Sequence, residues 1–275
     1  MVVRSGPGRP GLALSDELAV AYNRTGPAWQ RGPARVYDRL AEAAVACCPV
    51  ALAGARVLDL GAGTGAAGRA ARRRGADVVA VDCAVGMLVG SPQPQPPAVA
   101  GDAVALPFGP ASFDVVVAAF SLNHLTDPVA GLREAARVLR PGGGLVMATY
   151  AADDAHPARE ATAAAATARG WAPPPWSAEL RTEATPRLAT VEQARAAAGA
   201  AGFIDILATS ERVAFPDLGV DDLVRWRMGM AELAPFVAGM APSDRRALAA
   251  DAAARLRGAP MLVRSLVVLR GRATG

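Results

Sequence analysis

Short apolar runs alternate with stretches of helical period through the middle of the chain. Arg56–Leu60, Asp77–Val81, Ala98–Ala100, Phe113–Phe120 and Gly144–Tyr150 read as strands. Phe113–Phe120 is apolar except for Asp114 near its start, the pattern of a central parallel strand buried on both faces. Between these runs lie a helix from about Ala66 to Arg74, a helical turn over Cys83–Val89, and a helix over Pro128–Leu139. The last has Leu132, Ala135, Ala136 and Leu139 on one face. Arg140-Pro141-Gly142-Gly143 stops it, by removing a donor and then freeing the backbone. Such beta–alpha alternation predicts an α/β fold with a doubly wound parallel sheet.

The flanks follow other patterns. Residues up to about Gly11, rich in Gly, Pro and Arg, are expected to be disordered. Ser15-Asp16-Glu17 reads as an N-cap and first turn of a helix through Tyr22, which Gly26-Pro27 interrupts; a second helix is expected from Pro33 to Cys48, ended by Pro49. Ser91–Pro97 reads as an extended loop. After Tyr150 come an Ala-rich stretch, Asp153–Thr185, a helix over Thr190–Ala201, a strand over Phe203–Arg212, a long helical stretch over Asp217–Arg257 and a strand over Met261–Arg270. Two late strands separated by a helical insertion do not continue a plain dinucleotide-binding fold. The expected organisation is a single domain: an N-terminal helical lid over 12–50, a core over 51–150, helical cap inserts over 151–189 and 215–259, and the C-terminal part of the sheet over 190–214 and 260–275.

Composition changes this picture little. A chain of 275 residues that is 52% hydrophobic can bury one substantial core. Its 29 basic residues, all Arg, exceed its 25 acidic ones only slightly, for a net charge of +4. The one dense basic run, Arg72-Arg73-Arg74, ends a surface helix and reads as a solvated face favouring the helix C-terminus. No basic stripe of the kind that binds nucleic acid is present. Cys47, Cys48 and Cys83 form no disulfide framework and no zinc spacing. With no signal-peptide core and no membrane-length apolar run, a cytoplasmic, soluble protein is expected.

The stretch Val57-Leu58-Asp59-Leu60-Gly61-Ala62-Gly63-Thr64-Gly65 carries the first chemistry. It reads as a strand running into a glycine turn and then a helix, so that bare backbone lies at the carboxyl end of a strand, where open α/β sheets bind cofactors. By its own spacing the cofactor stays open, because Gly61-x-Gly63-x-x-Ala66 also satisfies the dinucleotide fingerprint. Asp82 closes the second strand at about the distance, 20 residues, at which an acid meets a ribose.

Over roughly Ala51–Tyr150, and more loosely over Thr190–Phe203, the chain resembles the class I S-adenosylmethionine-dependent methyltransferases, in particular the small-molecule branch that includes the ubiquinone and menaquinone biosynthesis enzymes (the type 11 methyltransferase domain). Val57–Gly65 is similar to that family's first motif. Gly101-Asp102-Ala103 with Leu106-Pro107-Phe108, Phe113-Asp114-Val115-Val116 and Leu139-Arg140-Pro141-Gly142-Gly143 resemble later ones, all in register. The resemblance implies a Rossmann-like, mostly parallel seven-stranded sheet with an antiparallel last strand. It implies S-adenosyl-L-methionine as cofactor and S-adenosyl-L-homocysteine as product. It places Asp59, Gly61, Ala62, Gly63 and Gly65 beside the amino-acid end of the ligand, Asp82 on the ribose hydroxyls with Cys83 next to it, and Asp102, Ala103 and Met87 around the adenine. Phe120 and Ser121 would pass close to the methionine end.

The implied reaction is in-line transfer of a methyl group to a small, apolar or aromatic metabolite at O, N or C, with no nucleic acid or membrane partner and a monomer or homodimer as the assembly. His124, after the fourth strand, is either the general base for a hydroxyl acceptor or a structural histidine. Tyr22, Trp29, Tyr37, His124, Tyr150 and Trp226 are the expected acceptor contacts, with Trp171, Trp176, Met228, Met230 and Phe236 as further apolar lining or as ordinary core. Asp153-Asp154-x-His156 reads as a solvated turn rather than a metal site, and no metal is expected. Ser121-Leu122-Asn123-His124 lacks the motif by which related enzymes methylate planar amines. Other readings are a same-fold cyclase or decarboxylase-like enzyme, a nicotinamide-dependent dehydrogenase and a non-catalytic interaction module; the intact Asp59, Asp82 and Asp102 argue against the last.

Overall fold

The structure, a computed structural model, describes residues 16–91 and 96–274. Its strands are β1 (Arg56–Leu60), β2 (Asp77–Asp82), β3 (Ala98–Ala100), β4 (Phe113–Ala119), β5 (Leu139–Tyr150), β6 (Phe203–Phe215) and β7 (Leu262–Ala273). They form one sheet in the order β3-β2-β1-β4-β5-β7-β6. β1 to β5 pair in parallel, and β7 runs antiparallel to both β5 and β6. The chain starts at β1, builds outward to β3, then returns to the other side of β1 with β4. The crevice between β1 and β4 is therefore the switch point at which such sheets hold ligands.

Strand periodicity assigns the two faces of the core. Val57, Val115, Val117 and Val146 point to the face covered by α3 (Pro33–Ala46) and α4 (Ala66–Arg73). Their neighbours Leu58, Leu60, Val116 and Leu145 point to the opposite face, under α6 (Pro128–Val138) and α9 (Val191–Ala200). Both covering helices on that face start on side-chain caps. Asp127 accepts from the Ala130 amide at 3.1 Å, and Thr190 and Gln193 form a reciprocal capping box.

The remaining helices gather over the sheet and its carboxyl edge. They are α1 (Asp16–Asn23), α2 (Gly26–Arg31), α5 (Val85–Leu88), α7 (Ala158–Thr167), α8 (Pro175–Glu179), α10 (Val220–Met228), α11 (Ala234–Gly239) and α12 (Pro242–Arg255). The α1 end is pinned to α5 by the Gly86 amide, which donates to Asn23 Oδ1 at 2.8 Å. α3 is tied to α4 by Arg69–Asp38 at 2.5 Å and by Glu42 with Arg73 and Arg74.

Several boundaries differ from the sequence reading. α1 ends at Asn23, as the interruption at Gly26-Pro27 implies, but Gly26-Pro27 also opens a second helix, because a proline in the first turn removes a donor that has no intrahelical partner. The expected helical stretch over 217–257 consists of three helices, divided after Met228 and again before Pro242. The Ala-rich stretch after Tyr150 contains α7, α8 and a π turn over Leu180–Ala184. β5 begins at Leu139, so Arg140–Gly143 bulges within the sheet, with Arg140 paired to Asp114 at 2.5 Å. The expected Ser15 cap, the N-terminal Gly/Pro/Arg segment and residues 92–95 of the proline loop lie outside the described residues. Among the described residues, no helix is long and apolar enough to cross a membrane.

Candidate active site

The glycine turn after β1 is set by contacts that exclude larger residues. Gly61 has φ of +68°, and a Cβ there would overlap Ser121 Cβ and stand 2.9 Å from its Oγ. Ser121 itself donates to the Leu60 carbonyl at 2.6 Å, which joins the ends of β1 and β4. The amides of Gly61 and Ala62 both donate to the Val81 carbonyl, at 2.9 and 3.0 Å, so the turn leans on the end of β2. At Gly65 the φ of +85° makes the bend into α4.

This turn forms one wall of a cavity of about 250 Å³ at the carboxyl edge of β1, β2 and β4. Three carboxylates face it. Asp59 is 1% exposed, and its Oδ2 accepts from the Gly68 amide at 2.7 Å. Burial pushes its pKa up to about 7, against the pull of that amide. Asp82 accepts from the Gly63 amide through Oδ2 at 2.7 Å and from the Ala84 amide through Oδ1 at 2.8 Å; burial raises its pKa as well. Asp102 accepts from the Val104 amide at 3.0 Å, beside Ala103. A carboxylate offers about four acceptor positions, so each keeps capacity for a ligand.

The opposite wall is aromatic. Tyr22, Trp29, Tyr37, Phe120 and His124 line it in a connected series: Tyr22–His124 at 5.6 Å, Tyr22–Trp29 at 6.1 Å, Trp29–Tyr37 at 4.7 Å and Tyr37–Phe120 at 5.5 Å between centroids. Phe120 has φ of +60°, a strained conformation for an aromatic residue, at the end of β4 beside the turn. Burial lowers the His124 pKa to about 4, so the imidazole is neutral at physiological pH. Burial likewise raises Tyr22 and Tyr37, which stay protonated phenols.

Most of the residues singled out in the sequence converge on this cavity: Asp59, Gly61, Ala62, Gly63, Asp82, Cys83, Met87, Asp102, Ala103, Phe120, Ser121, Tyr22, Trp29, Tyr37 and His124. Gly65 does not line it; it shapes the turn from behind. Tyr150 and Trp226 do not line it either. Tyr150 packs against the back of Phe120 at 4.8 Å, and Trp226 is 2% exposed in the core. Trp171 and Phe236 pack against Leu233 and Leu248, and Trp176 packs against Leu18 and Ala231, away from the cavity. Met228 and Met230 pack against the core clusters. His156 is structural: its Nδ1 accepts from the Ala158 amide at 3.2 Å, which leaves Nε2 to donate to the Pro260 carbonyl at 3.0 Å. Asp154 pairs with Arg264 and accepts from the Ser265 amide at 2.8 Å.

Sequence reasoning missed two supports of the site. A Cβ at Gly68 would stand 2.9 Å from Asp59 Oδ2, so only glycine lets the helix amide reach that carboxylate. Arg69 donates to the Thr64 carbonyl at 2.6 Å while pairing with Asp38, and so fastens the turn to α3. Both belong to the helix after the turn, where the glycine spacing gives no signal.

Residues 58–147 match a protein-family model described as a methyltransferase domain. Over 138 residues the chain is 43% identical to a demethylmenaquinone methyltransferase of Mycobacterium sp. (strain KMS), a match covering 50% of this chain and 58% of the relative. The chain thus spans less than two thirds of the length of that curated relative. In fold it is similar to a chain of the solved complex between the Haloferax volcanii Trm112 methyltransferase activator and a methyltransferase, with a TM-score of 0.56, 20% identity, and coverage of 94% of this chain and 98% of that one. It is also similar to Haemonchus contortus phosphoethanolamine N-methyltransferase 2 in complex with S-adenosyl-L-methionine, with a TM-score of 0.51, 21% identity, and coverage of 81% and 49%. At those identities the likeness concerns the fold.

Proposed function

We propose that this chain, which carries a class I S-adenosylmethionine-dependent methyltransferase domain, transfers the methyl group of S-adenosylmethionine to a small apolar or aromatic metabolite. The observation that carries the reading is the set of three carboxylates, Asp59, Asp82 and Asp102, on one cavity at the switch point of the sheet.

The donors and acceptors present suit that ligand. A buried carboxylate such as Asp59, on the cavity wall, matches a cationic ammonium group, and a cation beside it favours its ionised form. Asp82, fixed by two backbone amides, offers an acceptor-only carboxylate to a pair of vicinal hydroxyls. Asp102 and Ala103, which line the same cavity as Met87, would hold the adenine. When bound, S-adenosylmethionine supplies a methyl carbon already activated by a positive sulfonium. The protein's own work is to align the acceptor and exclude water. The Tyr22–Trp29–Tyr37–Phe120 wall supplies the apolar surface for an aromatic acceptor. His124, neutral down to about pH 4, accepts a hydrogen bond from the acceptor's hydroxyl or amine and turns its lone pair toward the methyl group. So weak a base orients more than it deprotonates. The name of the relative, a demethylmenaquinone methyltransferase, supports an aromatic acceptor.

The test is incubation with methyl-labelled S-adenosylmethionine and a panel of phenols, amines and carboxylates. Labelled product together with S-adenosylhomocysteine is expected. Absence of S-adenosylmethionine binding sinks the reading. Binding without accumulation of S-adenosylhomocysteine assigns the site to non-methylating chemistry instead.

A further inference from the structure

Behind the Tyr37–Phe120 wall lies a group of polar side chains that the cofactor leaves unused. Tyr150, at the end of β5, stands 6.3 Å from Tyr37 and 4.8 Å from Phe120 between ring centroids. The Arg264 guanidinium, on β7, lies 4.2 Å from the centre of the Tyr150 ring and 5.0 Å from that of Trp226. Arg227 lies 5.3 Å from the Trp226 ring. Arg264 pairs with Asp154, and Arg227 with Glu232. Arg159 and Arg181 approach the same Glu232 at 3.6 and 3.9 Å. Four guanidiniums therefore share two carboxylates at ion-pair distance.

Three buried donors in this cluster have no hydrogen-bond partner, Arg227 Nε, Arg264 Nε and Trp226 Nε1, and the Tyr150 hydroxyl faces only that of Tyr37. Arginine and tryptophan can only donate, and a buried donor left unpaired is costly. What is missing from the cluster is acceptor atoms, and the surplus of guanidiniums favours those that carry negative charge. Its place is also informative. It sits at the carboxyl ends of β4 and β5, beneath α10, and Tyr37 joins it to the cavity.

We propose that this cluster is the recognition site for the methyl acceptor, and that it takes an anionic oxygen group, a carboxylate or phenolate, carried on an apolar ring and reached from the cavity past Tyr37 and Phe120. Calling that ligand the methyl acceptor rests on the methyl-transfer reading; the binding chemistry of the cluster does not. The aromatic wall holds the ring, and the donors behind it read the oxygen. This sets which end of the acceptor points inward.

The test is calorimetric titration of the full chain, with S-adenosylhomocysteine present, using 1-naphthoate and the similarly sized cation 1-naphthylmethylammonium. Naphthoate is expected to bind about tenfold or more tightly, the effect of one charged hydrogen bond. Titration with 1-naphthol on both sides of its own ionisation separates phenolate from carboxylate as the preferred anion. Tyr150→Phe deletes one donor while keeping the ring, and Trp226→Phe deletes the indole donor while keeping an aromatic, though smaller, ring. Each should weaken naphthoate by about 3- to 30-fold and leave the affinity for S-adenosylhomocysteine within about twofold. Equal binding of the anion and the cation, or undiminished naphthoate affinity in both variants, overturns the proposal. A protein that binds no S-adenosylhomocysteine yet keeps the naphthoate preference, and loses it in the variants, refutes the methyl-transfer reading and leaves the anion site standing.

Discussion

Gly61→Ala places a methyl group where the structure has least room. The first cost is conformational: Gly61 has φ of +68°, and a non-glycine residue in the left-handed region costs roughly 1–2 kcal/mol. The second is steric. The new Cβ would overlap Ser121, whose Oγ is held by the Leu60 carbonyl at 2.6 Å and cannot swing away without losing that bond. Overpacking of this kind costs roughly 1–3 kcal/mol. The sum is about 2–5 kcal/mol, a large part of a typical domain's stability of about 5–15 kcal/mol. Gly142→Ala isolates the first term, since Gly142 has φ of +73° but nothing within 4 Å of a built Cβ. Urea unfolding should therefore show Gly61→Ala destabilised by about 1–3 kcal/mol more than Gly142→Ala. Calorimetry should show S-adenosylhomocysteine affinity lost about tenfold or more in the first and unchanged in the second, because Gly142 lies at the opposite end of the sheet. Equal destabilisation by the two substitutions, with ligand affinity retained in both, would refute the steric account of the turn.

Other predictions concern the charged and titrating groups. Asp82→Ala removes the acceptor for two backbone amides and for the ligand hydroxyls, and should weaken S-adenosylhomocysteine by about 10- to 100-fold; unchanged affinity in the titration rejects the ribose role. Asp59 titrates near 7 in the ligand-free protein, so affinity for the cationic cofactor should climb as pH rises through 7 and then level off. A flat profile between pH 5.5 and 8.5, or the same profile in Asp59→Asn, is the result that counts against it. The same shift affects folding. The folded state holds this proton more tightly than the ordinary value of 3.8, so the associated stability is full below that value and is lost as pH rises through about 7. His124→Ala should lower methyl transfer about tenfold or more with cofactor affinity nearly unchanged, and a fully active variant removes it from the site. His124 shifts the other way. Stability linked to its neutral form is full above the ordinary 6.5 and is lost as pH falls toward 4, so it should produce no inflection in rate between pH 7 and 9.

The glycine spacing, Asp82 and Gly101-Asp102 were legible because their geometry is local. A turn that needs positive φ, or a carboxylate that closes a strand, is written within a few residues of itself. The three acids reach one cavity because parallel strands deliver their carboxyl ends to one edge, and the alternation of apolar runs already implied that arrangement. His124 and Phe120 could be placed there for the same reason. Tyr150 was harder. It too ends a parallel strand, but whether its ring faces the cavity or packs behind Phe120 depends on a neighbour thirty residues away in the chain.

Beyond the core, periodicity gave less. Over 217–257, Leu223, Trp226, Met230 and Leu233 recur near a helical period that does not mark the breaks; the chain bends after Met228 and Trp226 turns into the core. Side chains that look alike in sequence separated in space: Trp29 lines the cavity, while Trp171, Trp176 and Trp226 do not. By itself, then, the sequence determined the alternating α/β core, the place of the cofactor turn and the acids that face it, since each follows from backbone conformation or from strand direction. Only the tertiary structure decided which aromatic rings form the wall, that Gly68 and Arg69 brace the turn, and that Arg227 and Arg264 meet behind it. Those pairings join residues far apart along the chain, and they are fixed by packing between the helices and the sheet, for which no local pattern stands in.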